Sequence, residues 1–218
     1  MRTVLVLNDT HFFLYIYHMN CSDVKSGNFL KMIFDYFVTL LCLVLLIPVI
    51  IILAISIKLT GKGPVIYSQK RIGRCGKPFF LYKFRSMHCE ADKSRSLLTG
   101  REDKRITRLG RIMRKHKFDE IPNFINVLKG EMSIIGPRPE QQYYIEQIVN
   151  RDPRYKKLQL LKPGITSWGQ VKYGYASNVE EMIARMEYDL FYFENRSFIF
   201  DLKITLFTLR IILKGQGI

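Results

Sequence analysis

From Tyr36 to Ile57 the chain reads YFVTLLCLVLLIPVIIILAISI without a single charge. An apolar helix of about twenty residues covers a hydrocarbon core of about 30 Å, so this run has the length of a membrane segment. Lys25 and Lys31 precede it, and Lys58, Lys62, Lys70 and Arg71 follow, so the positive-inside rule gives no orientation. Pro48 lies near its middle, where it removes one helical amide donor and clashes with the preceding turn, kinking or breaking the helix. Two readings stay open on these grounds: a re-entrant hairpin that enters and leaves on one face, and a kinked helix that spans. Asn8, Asp9 and His11 interrupt the stretch before the run, which argues against a cleavable signal peptide. Residues 1–27 are read as an N-terminal extension, with Met19 and Met32 as alternative starts.

Beyond the run, residues 64–69 (PVIYSQ) and 79–84 (FFLYKF) read as short strands around a Gly73/Gly76/Pro78 turn cluster. Ile106, Leu109 and Met113 recur at helical spacing with arginines and lysines on the other faces, which predicts a basic amphipathic helix over 106–117. Ile121–Lys129 fits a short helix closed by Gly130, with Pro122 tolerated in its first turn. Asn178 and Glu181 form a capping-box signature ahead of a helix whose core face carries Ile183, Met186, Leu190 and Phe193. The last helix combines Phe198, Ile199, Leu202, Leu206, Leu209 and Leu213 with Lys203, Arg210 and Lys214, the pattern of an interfacial helix. No internal repeat or low-complexity linker divides the chain.

Charge narrows the class. The 218 residues hold 34 Lys+Arg against 19 Asp+Glu, a formal net charge of +15, so the partner is anionic: a bilayer, a nucleic acid or a phosphorylated substrate. With 48% hydrophobic residues the chain is not a disordered basic tail. The basic helix beside an apolar membrane run favours a lipid surface over nucleic acid. Cys21, Cys42, Cys75 and Cys89 show no zinc spacing and are expected as reduced thiols, and the four histidines are scattered.

The chemistry concentrates between Lys104 and Glu140. Asp119 and Glu120 are adjacent carboxylates at a predicted helix start, preceded by Arg111, Arg114, Lys115 and Lys117. Such a cationic setting depresses carboxylate pKa values and attracts phosphates, and a helix N-terminus adds amide donors for an anion. The plainer reading makes Asp119 an N-cap. In Gly136-Pro137-Arg138-Pro139 two prolines rigidify the backbone around one arginine, which suits a bidentate grip on phosphate.

The segments QKRIG (69–73), YKFRSM (82–87), RITRLGR (105–111), FDEIP (118–122), NVLKGEMS (126–133), GPRP (136–139) and LKPGITSW (161–168) resemble those of the bacterial sugar transferases, the monotopic polyprenyl-phosphate phosphoglycosyl transferases. The resemblance runs from about residue 28 to the end in the minimal catalytic form. It implies transfer of sugar-1-phosphate from a UDP-sugar to undecaprenyl phosphate with release of UMP, as the first membrane step of polysaccharide or glycoconjugate biosynthesis. It also implies a re-entrant membrane helix broken at Pro48. By the same resemblance Asp119 matches the nucleophile that forms a phosphosugar-aspartate, and Glu120 the acid that helps hold Mg2+. Lys83, Arg114 and the Pro137, Arg138 and Pro139 loop match residues around the phosphates and nucleotide. Departures are Ile47 where serine often precedes the proline, Ser167 where glycine is common, and Asn123 where glutamine is frequent.

The expected fold is therefore an α+β, mostly helical, membrane-associated single domain with a re-entrant N-terminal helix, a small β-hairpin and interfacial amphipathic helices. Its expected parts are the extension 1–27, the membrane hairpin 28–60 and a catalytic domain 61–218 on the cytoplasmic face of the bacterial inner membrane. Expected partners are the UDP-sugar, undecaprenyl phosphate and membrane lipid, without nucleic acid, and apolar surface near the membrane leaves room for a homodimer. The competing readings are an inactive membrane-bound scaffold and a basic module that binds lipid or nucleic acid.

Overall fold

The computed structural model describes residues 29–88 and 103–215, and the expected extension over residues 1–27 lies outside them. Helix α1, Phe29–Leu59, carries the apolar run and continues through Pro48, which sits on its exposed side. The proline thus removes one amide donor without dividing the chain into two separate helices. Asp35, Thr39, Leu53 and Ile57 are buried along α1, and Val38, Leu46, Val49 and Ile50 pack between them. Steps of three and four residues put all of these on one helical face. Phe37, Leu41, Val44, Leu45 and Ile52 leave the opposite face apolar and exposed.

Both ends of α1 are tied to one folded body. Near its start Lys31 pairs with Asp201 at 2.8 Å, and Asp35 accepts hydrogen bonds from Ser133 Oγ at 2.7 Å and the Ile134 amide at 3.1 Å. Near its end Ile57 is fully buried with Phe84, Met113 and Ile121, while the Arg85 guanidinium donates to the carbonyls of Ile57 and Gly61. The Thr60 amide and hydroxyl donate to the same Ile57 carbonyl, so the arginine and the threonine together close the end of α1.

Strands β1 (Ile66–Ile72) and β2 (Pro78–Phe84) form an antiparallel hairpin in which Ile66 faces Phe84 and Ile72 faces Pro78. Both predicted strands are present, with β1 shifted toward the turn, and alternation buries Phe79 and Leu81. Helix α2 (Arg108–Lys115) starts on Thr107, whose side chain accepts from the Gly110 amide, and it buries Met113. Gly110 lies on the backbone of Ser86, where a Cβ would fall 1.9 Å from the Ser86 carbonyl oxygen. A glycine is therefore required for the approach of α2 to the end of β2.

Helix α3 (Asn123–Leu128) ends at Gly130, whose φ of 74° is the expected left-handed stop. Strand β3 (Ser133–Ile135) pairs in parallel with β4 (Gly164–Thr166). Helices α4 (Gln142–Arg151) and α5 (Tyr155–Leu158) lie between them, followed by α6 (Trp168–Lys172), α7 (Val179–Asn195) and α8 (Phe198–Leu213). Ile145, Ile148, Leu158, Met182, Met186 and Leu190 join α4, α5 and α7 in one core cluster. The capping box forms at α7: Asn178 Oδ1 accepts from the Glu181 amide at 2.8 Å, and Glu181 Oε2 accepts from the Ser177 amide at 2.7 Å. On α8, Ile199, Leu202, Leu206, Leu209 and Leu213 form an exposed stripe opposite buried Asp201 and Ile204. The α+β, mostly helical architecture expected from the sequence is the one observed. Cys42 is a free thiol, but Cys75 is disulfide-bonded, which corrects the expectation of four reduced thiols.

Candidate active site

Three segments converge on the acid pair. Asp119 and Glu120 lie in a 3-10 turn, Phe118–Glu120, entered through Lys117 in the left-handed region at φ 56°. A lysine pays a steric cost there, so surrounding contacts must hold it, and such residues concentrate at functional sites. The Lys117 amide donates to the Arg114 carbonyl and its own carbonyl accepts from the Glu120 amide, which fixes the turn against the end of α2. Asp119 caps no helix: neither the turn nor α3 has a side-chain cap. The N-cap reading is thereby overturned.

Lys83 reaches in from β2, its Nζ 2.6 Å from Glu120 Oε1, and Arg138 lies 3.5 Å from the same oxygen. Arg114 flanks the Asp119 side and is steadied by Ser86 Oγ at 3.0 Å from its Nε. The structure thus brings Lys83, Arg114, Asp119, Glu120 and Arg138 together from four places in the sequence. Pro137 and Pro139 serve the scaffold, their carbonyls accepting from the Gly164 amide at 2.9 Å and from Arg71 at 3.2 Å. Pro48 lies on the exposed side of α1 and makes none of these contacts.

Both carboxylates are buried, yet their proton affinities diverge. Burial raises the Asp119 carboxyl and the Glu120 charge adds to it; Lys83, Arg114 and Lys117 oppose this without prevailing, so Asp119 stands above the ordinary aspartate range. Burial also disfavours a charged Glu120, but Lys83, Arg138 and Lys117 outweigh it and hold that carboxyl well below the glutamate range. The depression expected for both acids thus applies to Glu120 alone, because the lysine and arginine contacts close on Glu120.

Asp119 has no hydrogen-bond donor on its carboxylate among the described residues, and Glu120 Oε2 and Asn123 Oδ1 are buried without partners. Unengaged oxygens on adjacent residues suit a hard divalent cation such as Mg2+, which commonly takes one or two carboxylates and completes its shell with water and phosphate. No cluster of three His, Cys, Asp or Glu exists among the described residues, so protein carboxylates alone would leave that shell open.

Several positioning residues escape sequence reasoning. Fully buried Asn126 donates to the Phe80 carbonyl and to Glu131 Oε2, both at 2.7 Å, and accepts from the Tyr82 amide at 3.2 Å, which staples α3 to β2 beside Lys83. An asparagine amid the apolar positions of a short helix is its sequence signal. Glu140, immediately after the Pro-Arg-Pro turn, is buried between Arg185 at 2.7 Å and Arg71 at 3.4 Å, and its carbonyl accepts from the Ile72 amide. No spacing rule links residues 140 and 185, so that clamp had no signal. Gly136 and Gly164 let the two loops cross, since a Cβ on Gly136 would lie 2.3 Å from the Lys162 carbonyl. Ser167, the departure before the tryptophan, caps α6 by accepting from the Gln170 amide.

The divergence has a measurable consequence. A raised folded-state pKa contributes stability below the unfolded value and loses it as pH rises through the folded value; a lowered one does the reverse. Asp119→Asn should therefore stabilise the detergent-held protein at neutral pH, with the gain fading toward pH 4. Glu120→Gln should cost about 2–4 kcal/mol at neutral pH by leaving Lys83 and Arg138 uncompensated, and less as pH falls. Thermal unfolding of both variants across pH checks the opposite signs.

Residues 26–215 match the family described as bacterial sugar transferase. The chain is 38% identical over 189 residues to the UDP-N-acetylgalactosamine-undecaprenyl-phosphate N-acetylgalactosaminephosphotransferase of Aeromonas hydrophila, covering 87% of this chain and 45% of that protein. It is 41% identical over 182 residues to the UDP-glucose:undecaprenyl-phosphate glucose-1-phosphate transferase of Escherichia coli (strain K12), covering 82% and 39%. A Bacillus subtilis (strain 168) protein named as an uncharacterized sugar transferase, EpsL, is 38% identical over 189 residues, covering 87% and 90%. The chain thus spans less than half the length of the first two relatives and most of the third. With one family matched across nearly all of its length, and that family's motifs converging on the buried acid pair, the chain belongs to the bacterial sugar transferases.

Proposed function

We propose that this protein transfers a sugar-1-phosphate from a UDP-sugar to undecaprenyl phosphate, releasing UMP, through an acyl phosphate on Asp119. The carrying observation is the asymmetry of the acid pair: Glu120 is clamped by Lys83 and Arg138, while Asp119 beside it has no hydrogen-bond donor among the described residues. A carboxylate without donors keeps its lone pairs for attack. The two named relatives above act on UDP-sugars and undecaprenyl phosphate, which supports the same substrate classes here.

In the first step Asp119 attacks the β-phosphorus of the UDP-sugar, a phosphorus–oxygen bond to the carboxylate forms, and the bond to the bridging oxygen breaks. UMP leaves with that electron pair. In the second step a lipid phosphate oxygen attacks the same phosphorus, giving the polyprenyl diphosphosugar and freeing the Asp119 carboxylate. Splitting one displacement into two gives each a positioned nucleophile and leaving group. Lys83, Arg114 and Arg138 supply fixed positive charge where phosphate oxygens gather. Mg2+, held through Glu120 and Asp119 oxygens, would offset the diphosphate charge.

The placement of α1 supports a membrane segment that does not span. At about 1.5 Å per residue a straight helix of its 31 residues is about 46 Å long, and one crossing the bilayer would carry its ends to opposite sides of a core about 30 Å thick. Here Lys31 and Asp35 at one end and Ile57 at the other contact the same domain. Both ends therefore belong to the face that holds the catalytic domain, which for a nucleotide-sugar user is the cytoplasmic one. The exposed faces of α1 and α8 supply the apolar surface that enters lipid.

Two experiments test this reading. UMP release by the detergent- or lipid-held protein with undecaprenyl phosphate, Mg2+ and a panel of UDP-sugars should occur with at least one donor and fall by 10³-fold or more, on the order of losing a covalent nucleophile, in Asp119→Asn. Silence across the panel from folded protein, or full activity in the variant, would refute the mechanism. For topology, single cysteines placed at Leu30 and Lys62 in sealed spheroplasts should both resist an impermeant thiol reagent and react after lysis. Labelling of one of the two from outside would require a spanning helix.

A further inference from the structure

At the N-terminal end of α1 lies a cavity of about 280 Å³. It is walled by the first turns of α1, by β3, by residues 160–162 and by the junction of α7 and α8. None of Lys83, Arg114, Asp119, Glu120 or Arg138 lines it. Its charged lining is Lys31, Arg74, Lys162 and Arg196 against Asp35 and Asp201, four cations and two acids. The acids are already engaged: Asp35 by Ser133 Oγ and the Ile134 amide, Asp201 by Lys31 at 2.8 Å and Tyr192 Oη at 2.6 Å.

The cations are less fully matched. Lys162 has neither hydrogen bond nor ion pair among the described residues, and Arg196 donates only to the Phe193 carbonyl and stacks on that ring. The described lining therefore carries a net charge of +2, with two cationic heads lacking an acid partner among the described residues, a setting for an anion. Its neighbours on the outer side are apolar. Phe29, Leu30 and Ile33 on α1 and Ile199 on α8 are all exposed within about one turn of residues that line it.

A ligand matching both features has an anionic head and hydrocarbon tails. We infer that this cavity binds the phosphate headgroup of an anionic membrane phospholipid, whose acyl chains lie along the exposed faces of α1 and α8. The inference rests on the membrane placement proposed above and not on the transfer reaction. None of the acid-pair cluster lines the cavity, so a lipid held here acts as an anchor, and Asp35 bonding Ser133 puts that anchor one strand away from the Arg138 loop.

The test uses the full chain in uncharged detergent with short-chain phosphatidylglycerol, short-chain phosphatidylcholine and inorganic phosphate, with binding read by calorimetry. Phosphatidylglycerol should bind saturably and about tenfold more weakly to Lys162→Ala/Arg196→Ala, while Lys203→Ala/Arg210→Ala, on α8 outside the cavity, leaves it unchanged. If the first double variant lost its thermal transition, Lys162→Glu alone gives the same comparison. Unaltered phosphatidylglycerol binding in a folded cavity variant overturns the site. Equal binding of phosphatidylcholine overturns the selection for charge, and inorganic phosphate binding as tightly as phosphatidylglycerol overturns the lipid assignment. Because UMP release is not the readout, failure here leaves the reaction mechanism standing, and failure of that mechanism leaves this site standing.

Discussion

Two adjacent carboxylates cannot both be buried and charged unless cations are buried with them, and that constraint organises this fold. Glu120 draws Lys83 from β2 and Arg138 from the loop after β3, so hairpin, turn and loop must meet at one point. The rest of the structure holds those pieces in place. Asn126 ties α3 to β2, the Gly110–Ser86 contact docks α2 behind the turn, and Glu140 bridges Arg71 and Arg185 to pin the Arg138 loop. The clamp on Glu120 leaves its neighbour without hydrogen-bond donors among the described residues, and the proposed role of Asp119 rests on that difference.

The membrane helix is part of this scaffold and not merely an anchor attached to it. Asp35 on α1 bonds to Ser133 and Ile134, and β3 runs directly from those residues into Gly136 and the Arg138 loop. At the other end Ile57 packs with Ile121, immediately after the acid pair. The apolar face of α1 and the geometry of the polar site are thereby mechanically joined.

Local signals carried much of this into the sequence. The uncharged run, the hairpin with its glycine cluster, the Gly130 stop and the Asn178 capping box each depend on residues within a few positions of one another, and each is present. The three-residue strands β3 and β4 are too short to show a period, and they were absent from the prediction for that reason. The acid pair and its cations were readable as motifs, but which acid each cation serves was not, because Lys83, Glu120 and Arg138 are joined only by folding. A cationic neighbourhood in sequence therefore predicted two depressed carboxylates where contact geometry depresses one. Pro48 was read as a break, yet a single missing donor on the exposed side of α1 leaves the helix continuous.

The central claim is that Asp119 carries the sugar phosphate between donor and acceptor. Intact-protein mass spectrometry, after mixing with Mg2+ and the active UDP-sugar and no lipid acceptor, tests it most directly. The account predicts a mass gain of one phosphosugar, mapped to Asp119, stoichiometric with a burst of UMP and discharged when undecaprenyl phosphate is added. UMP release that requires the acceptor from the first turnover, with no adduct on the protein, would contradict it.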